Sequence, residues 1–175
     1  AHPMNFAALR YFNVAGADPA GRSGQSTIGA THLIKIAVEA ATGKRDAVAV
    51  YGTDFDTPDG TGVRDYIHVS DLAAAHVAAL ELLVADPATS HILNAGYGRG
   101  FSVNEVLDAV DRVTNMTIER RYEGRRAGDP AALIADNSAI LAALPWRPAR
   151  DDLETIVADA LAWERLLADR ATAAD

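Results

Sequence analysis

Two arginines, each close to a glycine-containing turn, are the residues best suited to hold a negatively charged ligand. Arg64 follows the turn at residues 59–62 and begins a run of β-branched and aromatic residues, whereas Arg126 precedes Asp129 by three positions. A guanidinium grips phosphate oxygens through two parallel hydrogen bonds, and a loop that enters a strand offers both access and a rigid base. The sequence therefore predicts an anion clamp. The alternative for Arg64 is a structural ion pair with Asp65 or another carboxylate, and the alternative for the segment around Arg126 is a solvated basic loop.

A second candidate binding segment lies at residues 10–13, where a strand-like run ends. The rings of Tyr11 and Phe12 can lie beside a flat cofactor, and the carboxamide of Asn13 offers both a donor and an acceptor to a polar ligand. The alternative is a core aromatic residue followed by a turn asparagine.

Composition limits the class of partner. The chain has 175 residues and a formal net charge of -8, which argues against nucleic acid because such binding depends on neutralised phosphates. Arginines nevertheless crowd residues 120–126, which suits a small phosphorylated ligand. Cysteine is absent and the five histidines form no close pair, so we expect neither thiolate chemistry nor a metal site. No apolar run is long enough to span a membrane, and we expect a cytoplasmic protein.

The elements that must position these residues alternate between strand-like and helix-like patterns. Strands are predicted at residues 7–12, 47–51, 65–69, 91–95 and 118–122, and helices at about 29–42, 71–85, 102–114, 136–144 and 151–168. Such alternation predicts an α/β fold with parallel strands.

The pattern also predicts which faces are buried. The first strand should be buried, and Gly43 should end the first helix. Ser70 should cap the second helix, and Ser102 with Glu105 should form a capping box at the start of the third. The predicted core stripe of the first helix is Leu33, Ile36, Ala37 and Ala40, and that of the second is Leu72, Ala73, Val77, Leu80 and Val84.

Three motifs resemble those of a known enzyme family. The run Arg-Asp-Tyr-Ile-His-Val at residues 64–69 resembles the signature of the extended short-chain dehydrogenase/reductase superfamily, and the preceding Asp-Gly-Thr makes it similar to the UDP-glucose 4-epimerase family. Residues 10–13 and 125–129 are similar to two further motifs of that family, with Ala127 in place of glutamate. The resemblance covers essentially residues 1–175 and matches the family's C-terminal half. It implies an α/β substrate-binding half that includes late elements of the Rossmann-like sheet.

The resemblance also implies roles for individual residues. Arg64 and Arg126 would hold a pyrophosphate from two sides, and Asp129 would hold a ribose hydroxyl. Leu133 stands where side-chain bulk affects acceptance of N-acetylated hexoses, and that choice stays open. The implied NAD contacts are Tyr11 and Phe12, and the implied UDP-sugar contacts are Asn13, His32, Leu33, Ala49, Val50, Tyr51, Arg64, Arg126, Asp129 and Leu133. The strand at residues 49–51 would contact uracil largely through backbone groups.

The implied activity is interconversion of UDP-galactose and UDP-glucose, by oxidation and re-reduction at carbon 4 of the hexose with NAD. The family's glycine-rich NAD turn and its Tyr-x-x-x-Lys pair are missing, because no tyrosine stands four positions before Lys35 or Lys44. We therefore expect no catalytic residue here, no turnover by this chain alone, an N-terminal NAD-binding portion elsewhere in the protein, and a homodimer at full length. Alternatives are another nucleotide-sugar epimerase or dehydratase, and a non-catalytic UDP-sugar-binding module.

Overall fold

Strands and helices alternate along the chain in the computed structural model, which describes residues 4–172. The elements are β1 Ala7–Tyr11, β2 Asn13–Ala15, α1 Leu33–Ala41, β3 Val48–Tyr51, β4 Val63–His68, α2 Val69–Ala85, β5 His91–Ala95, β6 Gly100–Ser102, α3 Val103–Thr114, β7 Arg120–Glu123, β8 Ala132–Leu133, α4 Ser138–Ala143 and α5 Leu153–Thr172. Among the described residues, no helix is both long and apolar enough to cross a membrane.

Parallel pairing dominates, as the alternation predicts. The pairs β1–β5, β2–β4, β3–β7 and β4–β8 are parallel, and only β4–β6 is antiparallel within the described residues. β4 contacts three other strands and is the centre of the largest sheet. The predicted α/β class is confirmed.

Two apolar clusters form the core on either side of this arrangement. One joins α1, α3 and α5 to β3 through residues such as Ile34, Val50, Leu107 and Ile156. The other lies under α2 and α4 and contains Ile67, Ala75, Leu93, Ile140 and Trp146. Both clusters border β4, so its two faces belong to different environments.

The first strand is shorter and more exposed than predicted. β1 ends at Tyr11, and the chain pairs again as β2 from Asn13. Tyr11 is 50% exposed and residues 7–9 are only half-buried. The prediction of burial is wrong because, among the described residues, β1 pairs with β5 alone and its other edge is uncovered.

The first helix begins later than predicted and buries a different face. Gly29 has a φ of 69°, which is outside the helical region, and α1 begins at Leu33. Ala37 is buried as predicted, together with Ile34 and Val38, whereas Leu33 and Ile36 line a cavity described below. The predicted end is confirmed, because Gly43 follows the helix with a φ of 75°.

The second helix is capped by a histidine instead of Ser70. The ring Nδ1 of His68 accepts the backbone N–H of Ser70 at 3.0 Å, so α2 begins at Val69. Of the predicted stripe only Leu72 is buried. Small residues pack inward instead, while the outer face carries Ala73 and the large apolar residues Val77, Leu80 and Val84. Alanine faces allow a helix to approach a sheet closely, and three buried alanines provide that contact here: Ala75, Ala78 and Ala79. The predicted capping box of α3 is confirmed.

His68 should make stability depend on pH. Burial lowers the pKa of this ring below its usual 6.5, and the nearby Asp159 carboxylate only partly offsets that effect. The unfolded chain then binds more protons below pH 6.5, so stability present above that value falls as pH decreases toward the folded-state pKa. We expect the urea midpoint to fall more between about pH 7.5 and about pH 5 in the native chain than in His68→Asn, which retains a capping acceptor. Equal pH slopes for the two proteins would contradict this role.

Candidate functional site

An open cavity of about 220 Å³ lies between β3, β4 and the start of α1. Its walls come from separate parts of the chain, because β3 and β4 each present alternate side chains to it. Eight of the twelve residues predicted to contact a ligand line this cavity: Asn13, His32, Leu33, Ala49, Tyr51, Arg64, Arg126 and Asp129.

Four predicted residues do not line it. The side chain of Val50 is fully buried in the core, because the strand alternation that points its neighbours into the cavity points Val50 away. Leu133 is 44% exposed on β8, in register with Arg64 but outside the cavity wall. Tyr11 lies elsewhere, edge-on to His76 with ring centroids 6.1 Å apart. Phe12 is half-buried between β1 and β2.

The Arg64 side chain is available to a ligand. Its Nη1 donates to the carbonyl of its neighbour Val63 at 2.8 Å, and its Nη2 lies 4.0 Å from a carboxylate oxygen of Asp129, another cavity residue. The alternative of a structural ion pair is wrong for Asp65, but it is met in part by Asp129, whose carboxylate oxygen lies at 4.0 Å. The Asp65 carboxylate is fully buried on the opposite face of β4, where it accepts backbone N–H groups of Tyr97, Gly98 and Ala135.

The Asp-Gly-Thr turn before Arg64 is held by its own hydrogen bonds. Oδ1 of Asp59 accepts both the backbone N–H and the hydroxyl of Thr61, at 2.8 and 2.7 Å, and Oδ2 accepts the hydroxyl of Ser102 at 2.5 Å. Burial alone would raise the pKa of Asp59, but these donors outweigh it and the pKa lies below its usual value. The turn is therefore tied to the start of α3, and it delivers Arg64 to the cavity from a rigid base.

Gly60 should tolerate alanine poorly. Its φ is 77°, and an added Cβ would collide with the carbonyl oxygen of Thr53. Gly29 has a similar φ of 69°, but a Cβ added there would meet open space. We expect Gly29→Ala to lower the free energy of unfolding by about 1 kcal/mol for the left-handed backbone alone, and Gly60→Ala by about 2 to 4 kcal/mol because a steric cost is added. Urea unfolding measures both. Equal losses would mean that the turn relaxes at no cost.

Arg125 and Arg126 have different surroundings although they are adjacent. Arg125 pairs with Asp54, Nε to Oδ1 at 2.6 Å, and lies over the Phe55 ring at 4.3 Å from its centroid. Arg126 instead stacks on the Tyr51 ring, with its central carbon 3.6 Å from the centroid. A stacked guanidinium keeps its N–H groups at the edge available, so Tyr51 can hold Arg126 ready for an anion.

The start of α1, which contains the predicted contacts His32 and Leu33, adds a third positive feature. Thr31, His32 and Leu33 border the cavity, and the His32 side chain makes no capping bond. The first backbone N–H groups of a helix have no intrahelical acceptor, and the helix dipole favours negative charge there. His32 and Leu33 were predicted to contact the ligand, but the contribution of the backbone N–H groups at this end of the helix was not predicted.

Tyr66 is a further cavity residue that the sequence did not single out. It stands two residues after Arg64, so strand alternation places both on one face, and that spacing was the available signal. The cavity thus offers two guanidinium groups, a helix N-terminus, one carboxylate and the carboxamide of Asn13. This set suits a phosphorylated ligand that also carries hydroxyl groups. In residues 4–172, no group of three or more potential metal ligands is assembled.

Comparison with known proteins places the chain in a family. Residues 1–96 match the model of the NAD dependent epimerase/dehydratase family. The UDP-glucose 4-epimerase of Azospirillum brasilense is 53% identical over 95% of this chain and 48% of its own length. The chain therefore spans about half the length of such relatives.

Solved structures agree in fold. One is a UDP-glucose-4-epimerase from Stenotrophomonas maltophila with bound NAD and formylated UDP-arabinopyranose. It is 41% identical, with a TM-score of 0.90, and the match covers 95% of this chain and 49% of that one. The UDP-Glc/GlcNAc 4-epimerase of Campylobacter jejuni is 47% identical, with a TM-score of 0.77. The match covers 93% of this chain and 49% of that one. The predicted fold, part of an extended short-chain dehydrogenase/reductase, is confirmed. This chain belongs to the NAD-dependent epimerase/dehydratase family.

Proposed function

We propose that this chain is the UDP-sugar-binding portion of a UDP-glucose 4-epimerase. The observation that carries the proposal is the single cavity in which Arg64, Arg126, Asp129 and the start of α1 meet. Their charges match a pyrophosphate and a ribose hydroxyl. Supporting it, several relatives of 44 to 53% identity are UDP-glucose 4-epimerases, and one similar structure holds both NAD and a UDP-sugar.

Each of these residues would contact a different part of the UDP-sugar. Arg64 and Arg126 bind the pyrophosphate from two sides, and Asp129 accepts a ribose hydroxyl. The edge of β3 at Ala49 and Tyr51 faces the uracil, together with the backbone of Val50. Asn13 binds at the sugar end, where its amide makes only a long 3.5 Å contact to the carbonyl of Asp65.

The NAD-binding portion would belong to the other half of the protein. Among the described residues, the half-exposed ring of Tyr11 fits a flat cofactor, because it lies at the carboxyl end of β1 and leads into Phe12. In α/β sheets, ligands bind outside the carboxyl ends of parallel strands. When bound, NAD supplies reversible hydride transfer at carbon 4 of the hexose. The chain's own residues hold the nucleotide and orient the sugar toward that cofactor.

The proposed reaction requires that most binding contacts are made to the nucleotide, away from the hexose that reacts. The hexose must turn between oxidation and re-reduction, so strong contacts to the sugar itself would oppose the reaction. Binding energy placed on the nucleotide retains the intermediate while the sugar stays mobile. The positive groups of the cavity concentrate that energy on the phosphates.

Conversion of UDP-galactose to UDP-glucose by the complete protein tests the proposal. Product analysis separates a 4-epimerase from another epimerase or a dehydratase, and UDP-N-acetylglucosamine tests the position of Leu133. The intact mass of the purified protein is needed first, because a chain of 18.5 kDa lacks the proposed NAD-binding portion and should not turn over. A complete protein that binds NAD and UDP but converts no UDP-galactose would contradict the function.

The isolated chain tests the alternative of a non-catalytic module. Such a module should bind UDP alone with micromolar affinity, whereas a half-enzyme should bind poorly, or aggregate through the surface that the other half of the protein would cover. A homodimer at full length and a cytoplasmic location complete the proposal.

A further inference from the structure

We propose that the hydroxyl group of Tyr66 donates a hydrogen bond to the terminal phosphate of the nucleoside diphosphate in the cavity. This inference rests on the proposed function. It adds a ligand-positioning residue beside the two arginines, at the end of the cavity that faces the sugar.

Strand geometry places Tyr66 at that end. Arg64, Tyr66 and His68 alternate onto one face of β4, and Tyr66 pairs in register with Asn13 on the neighbouring strand β2. Both Tyr66 and Asn13 line the cavity. Two residues along a strand span about 7 Å, so Tyr66 lies about that far from Arg64 in the direction of Asn13.

The side chain of Tyr66 is largely buried, but its hydroxyl is not enclosed and has no hydrogen-bond partner among the described residues. The residue is only 4% exposed, and it borders the cavity that also contains Arg64 and Asn13. The hydroxyl of Tyr97, by contrast, bonds to the backbone of His68, the carboxylate of Asp71 and the carbonyl of Arg150. The hydroxyl of a largely buried tyrosine normally has a partner, so the Tyr66 hydroxyl is free to bond to a molecule in the cavity.

The group can act only as a neutral donor near an anion. Burial raises the pKa of Tyr66 well above its usual value, and the charge of Arg64 opposes this only in part. The phenol therefore keeps its proton at physiological pH and can donate to a phosphate oxygen. Its ring packs in the apolar cluster with residues of α1 and α3, so the position of the hydroxyl is rigid.

The order of neighbouring groups indicates which phosphate is contacted. Asp129 lies 4.0 Å from Arg64 and would mark the ribose end of the ligand. Tyr66 follows Arg64 in the direction of Asn13, away from Asp129. The donor therefore faces the phosphate farther from the ribose.

A smaller cavity of about 30 Å³ offers a competing partner. It also borders Tyr66 and Asn13, and it reaches the buried ion pair between Lys35 and Glu164. A space of this size holds about one or two water molecules. If the hydroxyl bonds only to such a water, ligand affinity should not depend on it.

Calorimetry with UDP and with UMP on the complete protein and its Tyr66→Phe variant tests the inference. We expect the dissociation constant for UDP to rise about 10-fold, because a hydrogen bond to a charged group is lost, while that for UMP changes less than about twofold. Tyr122→Phe is the matched control, since that tyrosine is 55% exposed on β7 and lies outside the cavity.

Each other outcome would overturn the inference. Unchanged UDP affinity would mean that the hydroxyl bonds only to water, and it would leave the proposed function intact. Equal losses of affinity for UDP and UMP would mean that the hydroxyl contacts the phosphate next to the ribose instead of the terminal one. Failure of the unaltered protein to bind UDP would overturn both proposals. If Tyr66→Phe does not fold, the unaltered protein with an NMR-active carbon at tyrosine Cζ provides the same test, because the Tyr66 signal should shift with UDP and not with UMP.

Discussion

Replacing Arg64 with alanine should weaken UDP binding by the complete protein about 30- to 1,000-fold, which corresponds to about 2 to 4 kcal/mol. The side chain is only 19% exposed and enters the cavity from a rigid turn. Removing it would leave a partly desolvated phosphate without its charged donor. Calorimetric titration with UDP measures the loss directly.

Arg121→Ala is the matched control for this prediction. Arg121 has the same charge but is exposed on β7 and does not line the cavity. Its removal should change UDP affinity by less than about threefold at moderate salt, since exposed charges are screened. If the two variants bind UDP equally well, Arg64 has no place in the site and the cavity loses its proposed ligand.

Replacing Asp65 with alanine should lower the free energy of unfolding by about 3 to 5 kcal/mol. Three backbone N–H groups, those of Tyr97, Gly98 and Ala135, would lose their common acceptor in the protein interior. Each unsatisfied buried donor costs about 1 to 3 kcal/mol, and relaxation recovers part of the sum. Urea unfolding followed by fluorescence of the buried Trp146 and Trp163 measures the change.

Asp46→Ala provides the control for charge and composition. Asp46 is exposed in the loop before β3, and its removal should change stability by less than about 0.5 kcal/mol. Asp65→Asn should fall between the two variants, because the amide retains one acceptor but turns an N–H group toward other donors. A loss below about 1 kcal/mol for Asp65→Ala would show that water replaces the carboxylate.

The two predictions concern opposite faces of one strand. On β4, Arg64 and Tyr66 face the cavity, whereas Asp65 holds the segments around residues 97 and 135 on the other side. The segment at residue 135 follows β8, which pairs with β4 beside Arg64. Loss of Asp65 should therefore disturb Asp129 and ligand binding as well as stability.

Much of the fold was predictable because its signals are local. Within residues 4–172, alternating strand and helix patterns identified five of the eight strands, the five helices and the parallel class. The capping box at Ser102 marked the start of α3. β2, β6 and β8 have only two or three residues each. Such strands carry no periodic signal of their own and form because neighbouring strands supply their hydrogen-bond partners.

Helix faces were predicted less well than helix positions. For α2, hydrophobicity favoured the stripe of Val77, Leu80 and Val84, but the sheet packs against small alanines instead. Periodicity measures the side chain's preference for an apolar environment, and close packing depends on the shape of the surface opposite. That surface is formed by residues distant in sequence.

By itself, the sequence determined the residue types that can bind an anion, the α/β alternation and the motifs that place the chain in its family. Only the tertiary structure decided that eight of the predicted residues share one cavity and that Arg126 stacks on Tyr51. It also decided that the Asp65 carboxylate accepts backbone N–H groups, whereas Arg64 lines the cavity. In addition, it decided that Tyr66 lines the same cavity as Arg64. These features depend on contacts between segments tens of residues apart, which burial and hydrogen-bond satisfaction select only when the whole chain has folded.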